Sequence, residues 1–293
     1  MRKTLLSVAI AGALSLPALA NAADEAPAAA AAPASPHTFT ANVGLVSDYL
    51  FRGVSQTHGK PAIQGGVDYS HSSGLYAGAW ASNITWVKDF LGSGSAEIDV
   101  YGGFKNAFAG GDWNYDVGLI TYNYPSKGPA IPTVLANPNT QEVYGAIGYK
   151  WLTLKYSQAV SKNFIGWYGG AALDQNTRGS GYLELNASYD VGDGWGLTGH
   201  YGSQKVKNSV TTLAGVNSAN YSDWKLGVTK DFGFGIVGLA YSDTNTSGTC
   251  NSTTAGTNAY CWGNGNFVSG VGPTSGFKDV SKGQVVLSFL KNF

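Results

Sequence analysis

The chain has 293 residues, of which 12% are charged and 13% aromatic, with 41 glycines, 17 tyrosines and 8 tryptophans, and its 18 basic and 18 acidic side chains balance. No internal run of eighteen apolar residues is present to make a spanning helix, and the neutral balance implies no nucleic-acid partner. A membrane protein without spanning helices must be a closed barrel, and the soluble alternative is a β-sandwich or lectin-like secreted protein.

Residues 1–22 read as a cleavable secretory signal: Arg2-Lys3, an apolar core from Leu5 to Leu19, then Ala20-Asn21-Ala22. Its removal leaves 16 basic against 18 acidic residues, a net of −2. Residues 23–36, almost all Ala and Pro with Asp24, Glu25 and Ser35, are too poor in large apolar side chains to bury and predict a disordered periplasmic extension.

Residues 37–293 predict an all-β fold, an antiparallel transmembrane β-barrel of about twelve strands. From Thr38 the alternation puts Phe39, Ala41, Val43, Leu45, Tyr49 and Phe51 on an outward apolar face, with Asp48 and Arg52 inward. The second strand sets Ile63, Val67 and Tyr69 against inward Gln64 and Asp68, and the third sets Tyr76, Trp80 and Ile84 outward against Ala77, Ala79 and Asn83. Strand four reads Ala96, Ile98, Val100 and Phe104 out, with Glu97, Asp99, Tyr101 and Lys105 in. In strand five Trp113, Val117 and Leu119 face out while Asp116 and Tyr122 face in; a loop with four prolines between Pro125 and Pro138 follows and cannot be a strand. Strand six points Glu142, Tyr144 and Lys150 inward, and strand seven Lys155. Strand eight does the same with Glu184, Asn186 and Asp190, and strand nine with His200. Asp223 and Lys225 are the inward charges of strand ten, and strand eleven carries Val237, Leu239 and Tyr241 outward. The last strand alternates Val285, Leu287 and Phe289 and ends on Phe293, which reads as the closing strand through which barrel-insertion machinery recognises the chain.

The connections alternate in length. Turns near Ser72, Gly110, Lys150, Asp193 and Gly233 are short, and the others are mostly long, which predicts short periplasmic turns, long exterior loops and both termini in the periplasm. Ser47-Asp48-Tyr49-Leu50-Phe51-Arg52-Gly53-Val54-Ser55-Gln56, Pro61-Ala62-Ile63-Gln64-Gly65-Gly66-Val67-Asp68-Tyr69 and Gly74-Leu75-Tyr76-Ala77-Gly78-Ala79-Trp80-Ala81-Ser82-Asn83 resemble the opening signature of the TorF-type family of outer-membrane porins. The resemblance runs on to Asp223-Trp224-Lys225-Leu226-Gly227-Val228, and it implies a barrel with a pore and carries over no binding residue.

Cys250 and Cys261 lie eleven apart in the longest loop and are expected to form a disulfide in an oxidising compartment; no His is near them in sequence, so no metal site is expected. His200 is either a proton-sensitive gate or a hydrogen-bonded lumen residue. No phosphate loop, zinc signature or nucleophile elbow is present, so neither catalysis nor a cofactor is expected. Glu97, Asp99, Glu142, Glu184 and Asp223 fall in the outer half, either as a weakly acidic, cation-preferring entrance or as a wall of pairs such as Arg52 with Glu97 or Asp99. The expected function is passive diffusion of small solutes or ions across the outer membrane, and the alternative is a structural or surface-interaction barrel with a closed lumen. Oligomeric state stays open.

Overall fold

The structure, a computed structural model, describes residues 35–126, 137–167, 176–208, 218–253, 256–268 and 271–293. The expected signal peptide, nearly all of the Ala/Pro-rich segment and most of the Pro-rich loop lie outside the described residues.

Twelve antiparallel strands close on themselves. They are β1 (His37–Val46), β2 (Ala62–His71), β3 (Leu75–Asn83), β4 (Ala96–Phe108), β5 (Trp113–Asn123) and β6 (Thr140–Tyr149). The second half comprises β7 (Leu152–Ala159), β8 (Gly181–Gly192), β9 (Trp195–Lys205), β10 (Tyr221–Asp231), β11 (Ile236–Thr244) and β12 (Gln284–Asn292). Each strand pairs with its neighbour in sequence, and β1 closes on β12 with Val43 opposite Lys291 and Leu45 opposite Phe289. Closure removes the unpaired edges that an open sheet would present. Two further bonds between Ala41 and Phe293 tie the C-terminal residue to the first strand.

Five short turns gather at one end, and both termini of the barrel lie there as well. At Asp193-Gly194 both residues have positive φ (52° and 75°), the signature of the two-residue hairpin turn whose twist matches its strands. The long connections emerge at the other end. One of them holds a short helix α1 (Trp86–Leu91), not anticipated from the sequence and ended by Gly92 in the left-handed region.

Outward positions are apolar and uncovered: Val67, Val117, Leu197, Leu226 and Leu287 are all more than half exposed. A continuous belt of this kind has no counterpart on a water-soluble monomer, where large apolar patches are rare. Aromatic side chains border it. Trp113, Tyr149, Trp151, Tyr189 and Trp195 ring the short-turn end, while Tyr156, Tyr201, Trp224 and Tyr241 lie toward the long-loop end.

The structure corrects the sequence reading at four places. β1 stops at Val46 instead of running to Arg52, so Tyr49 and Phe51 are buried inside rather than facing outward. On β3 the two faces are exchanged: Leu75, Ala77 and Ala79 point out, while Tyr76 and Trp80 point into the lumen and Ile84, past the strand end, is buried. The interior offers those aromatics partners that lipid could not. Tyr76 hydrogen-bonds Asp116 (2.6 Å), and Trp80 meets the Tyr49 ring edge-on. Lys150 and Asp190, expected inward, sit at the turns: Lys150 adopts positive φ and pairs with Asp112 at 3.7 Å in solvent, and Asp190 accepts the Gly192 amide.

Candidate functional site in the barrel lumen

Residues 47–60 leave the wall and turn into the barrel. The sequence cause is Phe51-Arg52-Gly53-Val54: Arg52 and Gly53 both take positive φ (50° and 78°), making a tight turn between the two-residue strands Leu50–Phe51 and Val54–Ser55. Asp48 holds the base of this hairpin by accepting from Ser55 Oγ (2.6 Å) and Thr57 Oγ1 (2.8 Å). Its tip crosses the lumen to the far wall.

There the Arg52 guanidinium donates to both carboxylate oxygens of Glu142 on β6, at 2.8 to 3.1 Å, and is nearly enclosed. It lies 4.3 Å over the Tyr182 ring and 4.8 Å over that of Phe51. The Tyr221 hydroxyl on β10 donates to the Arg52 carbonyl at 2.8 Å. Gly53 touches the wall so closely that a Cβ there would sit 2.8 Å from Cβ of Asp223. The pair predicted from sequence, Arg52 with Glu97 or Asp99, does not form. Those carboxylates lie on β4, whereas the hairpin tip reaches β6.

Around the hairpin an apolar cluster fills the long-loop half of the barrel: Tyr49, Phe51, Trp80, Trp86, Val87 and Tyr122, among others. Glu97, Asp99, Glu142 and Asp223 are each 1% exposed beneath it. Glu97 accepts from the Tyr49 hydroxyl at 3.1 Å, and Tyr122 adds a bond to Glu142 at 3.2 Å. The outer carboxylates therefore occur where the strand parity placed them, but under a cover that the sequence reading left open.

A second polar chain runs along the opposite wall. Asp223 accepts from Tyr182 at 2.8 Å, and His200 Nε2 lies 2.9 Å from its other oxygen. His200 Nδ1 faces Asn186 Oδ1 at 2.7 Å, Asn186 donates to Glu184 at 2.8 Å, and Lys155 approaches Glu184 at 3.9 Å while lying over the Tyr144 ring. His200 thus has both ring nitrogens engaged within the wall. Lys225 lies beside His200 on the next strand and lines lumen space with Thr198, Thr229 and Ser288. Toward the short-turn end Tyr101 donates to Asp68 at 2.6 Å, and the Tyr76 and Tyr144 hydroxyls are hydrogen-bonded. Gln64 bonds Ser82 at 3.3 Å on the wall.

Sequence reading missed Tyr49, Tyr182 and Tyr221. Tyr182 shares inward parity with Glu184 and Asn186, and Gly53 between Phe51 and Val54 is a turn signal, so both clues were present. The Cys250–Cys261 disulfide does form, with a Cα separation of 5.4 Å. It tightens the loop whose Tyr260 packs on Tyr221 and accepts from Gln204 over the lumen. No group of three metal-ligating side chains occurs among the described residues.

Comparison with curated proteins gives no match. Among solved structures, the KdgM porin in complex with disordered oligogalacturonate shares 6% identity at a TM-score of 0.48, covering 87% of this chain and 99% of that one. The NanC porin shares 8% at 0.44 over 87% and 98%, and the COG4313 outer membrane channel from Pseudomonas putida F1 shares 11% at 0.45 over 92% and 100%. Likenesses at this level carry no argument about solute or mechanism. The sequence itself matches the model of Gcw_chp over residues 30–272, and the chain belongs to this family of bacterial proteins of unknown function.

Proposed function

We propose that the chain is an outer-membrane channel of porin type for small solutes, with its long-loop half occluded in this state by residues 47–60. The observation that carries the reading is the two-faced wall: an uncovered apolar belt bordered by aromatics outside, and charged and hydroxyl side chains within. Short turns and both termini then face the periplasm and the long loops the exterior, with the strand ending at Phe293 as the segment engaged by the insertion machinery. The resemblance of residues 47–83 to TorF-type porins favours the same role. Twelve strands enclose a lumen between the side-chain-filled interior of eight strands and the aqueous channel of sixteen. A preference for cations follows from the outer-half carboxylates Glu97, Asp99, Glu142 and Asp223, against which Arg52 is the ion-paired cation. Passage of solutes, with no chemistry performed on them, is the activity.

A second reading, a structural barrel whose lumen stays shut, is favoured by the buried aromatic cluster around Tyr49, Phe51 and Trp86. Planar-bilayer recording separates the two. Defined, recurrent conductance steps are expected from purified protein; a folded, heat-modifiable sample that gives none in repeated reconstitution would sink the channel reading.

A further inference from the structure

We infer that residues 47–60 are a removable plug, and that the carboxylates they cover, Glu97, Asp99, Glu142 and Asp223, form the cation-selective ring of the open channel. The inference rests on the channel reading and adds what opens the pore and what it passes.

The wall does not need the excursion. Val46 on β1 pairs directly with Ala62 on β2, so the ladder is continuous at the point where the hairpin departs. The hairpin pairs only with itself, and the excursion meets its surroundings through side chains and a few isolated backbone bonds, such as Ser47 N–H to Leu287 O on β12 at 2.9 Å and Ser55 N–H to Val280 O, in the loop before β12, at 2.8 Å. Withdrawal would leave all twelve strands paired.

What lies beneath it is not a finished wall. Glu97 Oε2 and Asp99 Oδ1 are buried and have no hydrogen-bond partner among the described residues, and no cation there reaches either side chain within ion-pair distance. A carboxyl oxygen buried without a partner is costly, and in a purely structural lumen such positions would be paired or apolar. Hydration satisfies them once the cover leaves. Glu97 and Asp99 alternate inward on β4, Glu142 stands on β6 and Asp223 on β10, so the four are spread around the lumen at the long-loop end.

Arg52 couples position to charge. In the plugged state its guanidinium spends its bonds on Glu142. Withdrawal removes that positive charge from the lumen together with the obstruction, so the pore widens and becomes more acidic in one step. Solutes favoured by the open state are small cations, drawn most strongly at low ionic strength, where screening is weakest.

The test compares the full chain with a variant in which residues 49–58 are replaced by a Gly/Ser linker, both recorded in bilayers across a KCl gradient. Larger steps and a cation-side reversal potential are expected from the truncated barrel, and E97Q/D99N/D223N in that background should lower its cation-to-anion permeability ratio roughly threefold or more. R52A in the full-length excursion, which breaks the buried pair without deleting chain, should raise the ratio of open to plugged channels roughly a hundredfold or more and covers the case in which truncation impairs folding. Steps and occupancy unchanged in R52A, or truncated steps equal to the parent's, overturn the plug. A truncated channel whose selectivity survives the triple substitution overturns the ring and leaves the channel reading standing. A folded truncated barrel that never conducts removes both.

Discussion

Arg52 shows how much one side chain can organise in a lumen. Its planar fork matches both oxygens of Glu142, and its face lies on Tyr182, uses that an ammonium cannot reproduce together. Because both side chains are almost completely buried, removing one partner should cost the docked hairpin about 3–5 kcal/mol, while Arg52→Lys, which keeps the charge, should cost roughly 1–3 kcal/mol. Hydrogen exchange at the Ser55 amide, which donates to Val280, reads the docking directly. Exchange in R52K as slow as in the parent would mean that the apolar packing of Phe51 and Val54 holds the hairpin without the ion pair.

At the scale of elements, the long loops behave as a second layer of structure seated on the barrel. Helix α1 buries Trp86 and Val87, with Trp86 edge-on to Tyr124, and the Phe267 ring lies where Gly92 leaves space. Two titrating groups in this layer act in opposite directions. Burial pushes the Asp89 carboxyl up to about 6, against the pull of Lys60 and Lys88; its docked form holds a proton more tightly than an unfolded carboxyl does. Burial, with Lys278 and Lys60, pushes His58 down to about 4. The Asp89 contribution therefore strengthens docking as pH falls from about 6 toward 4, and the His58 contribution is lost as pH falls from its ordinary value near 6.5 toward 4. In H58N, whose side chain tolerates the left-handed backbone at that position (φ 58°), the protection of amides 84–95, taken relative to the exchange rate of an unstructured chain at the same pH, should rise steadily with acid; in D89N it should fall. The same pH profile in both variants would refute the assignment.

The whole molecule is set by its surroundings. Leu226 is 61% exposed on the outward face of β10, between Trp224 and Val228. In a bilayer Leu226→Arg should destabilise the barrel by about 2–4 kcal/mol, whereas a water-facing position would change stability by no more than about 0.5 kcal/mol. Denaturant titration in lipid vesicles distinguishes these, and a near-zero effect would count against membrane embedding.

Period-two alternation is a local property, so the strand count, the outward belt and the alternation of short and long connections were legible in the sequence. So were the inward parities of Glu97, Asp99, Glu142, Glu184, His200 and Asp223, because each strand carries enough apolar residues on one side to set its face. On β3, with Tyr76 and Trp80 against a row of alanines, hydrophobicity alone assigned the faces the wrong way round: those aromatics are held by Asp116 and Tyr49, which lie 40 and 31 residues away. The inward course of residues 47–60 has the same origin. Two positive-φ residues make the turn, but its direction is decided by Glu142, Tyr182 and Tyr221, which come together only when the barrel closes. Local patterning determined the wall of this protein; contacts between residues far apart in sequence determined what fills it.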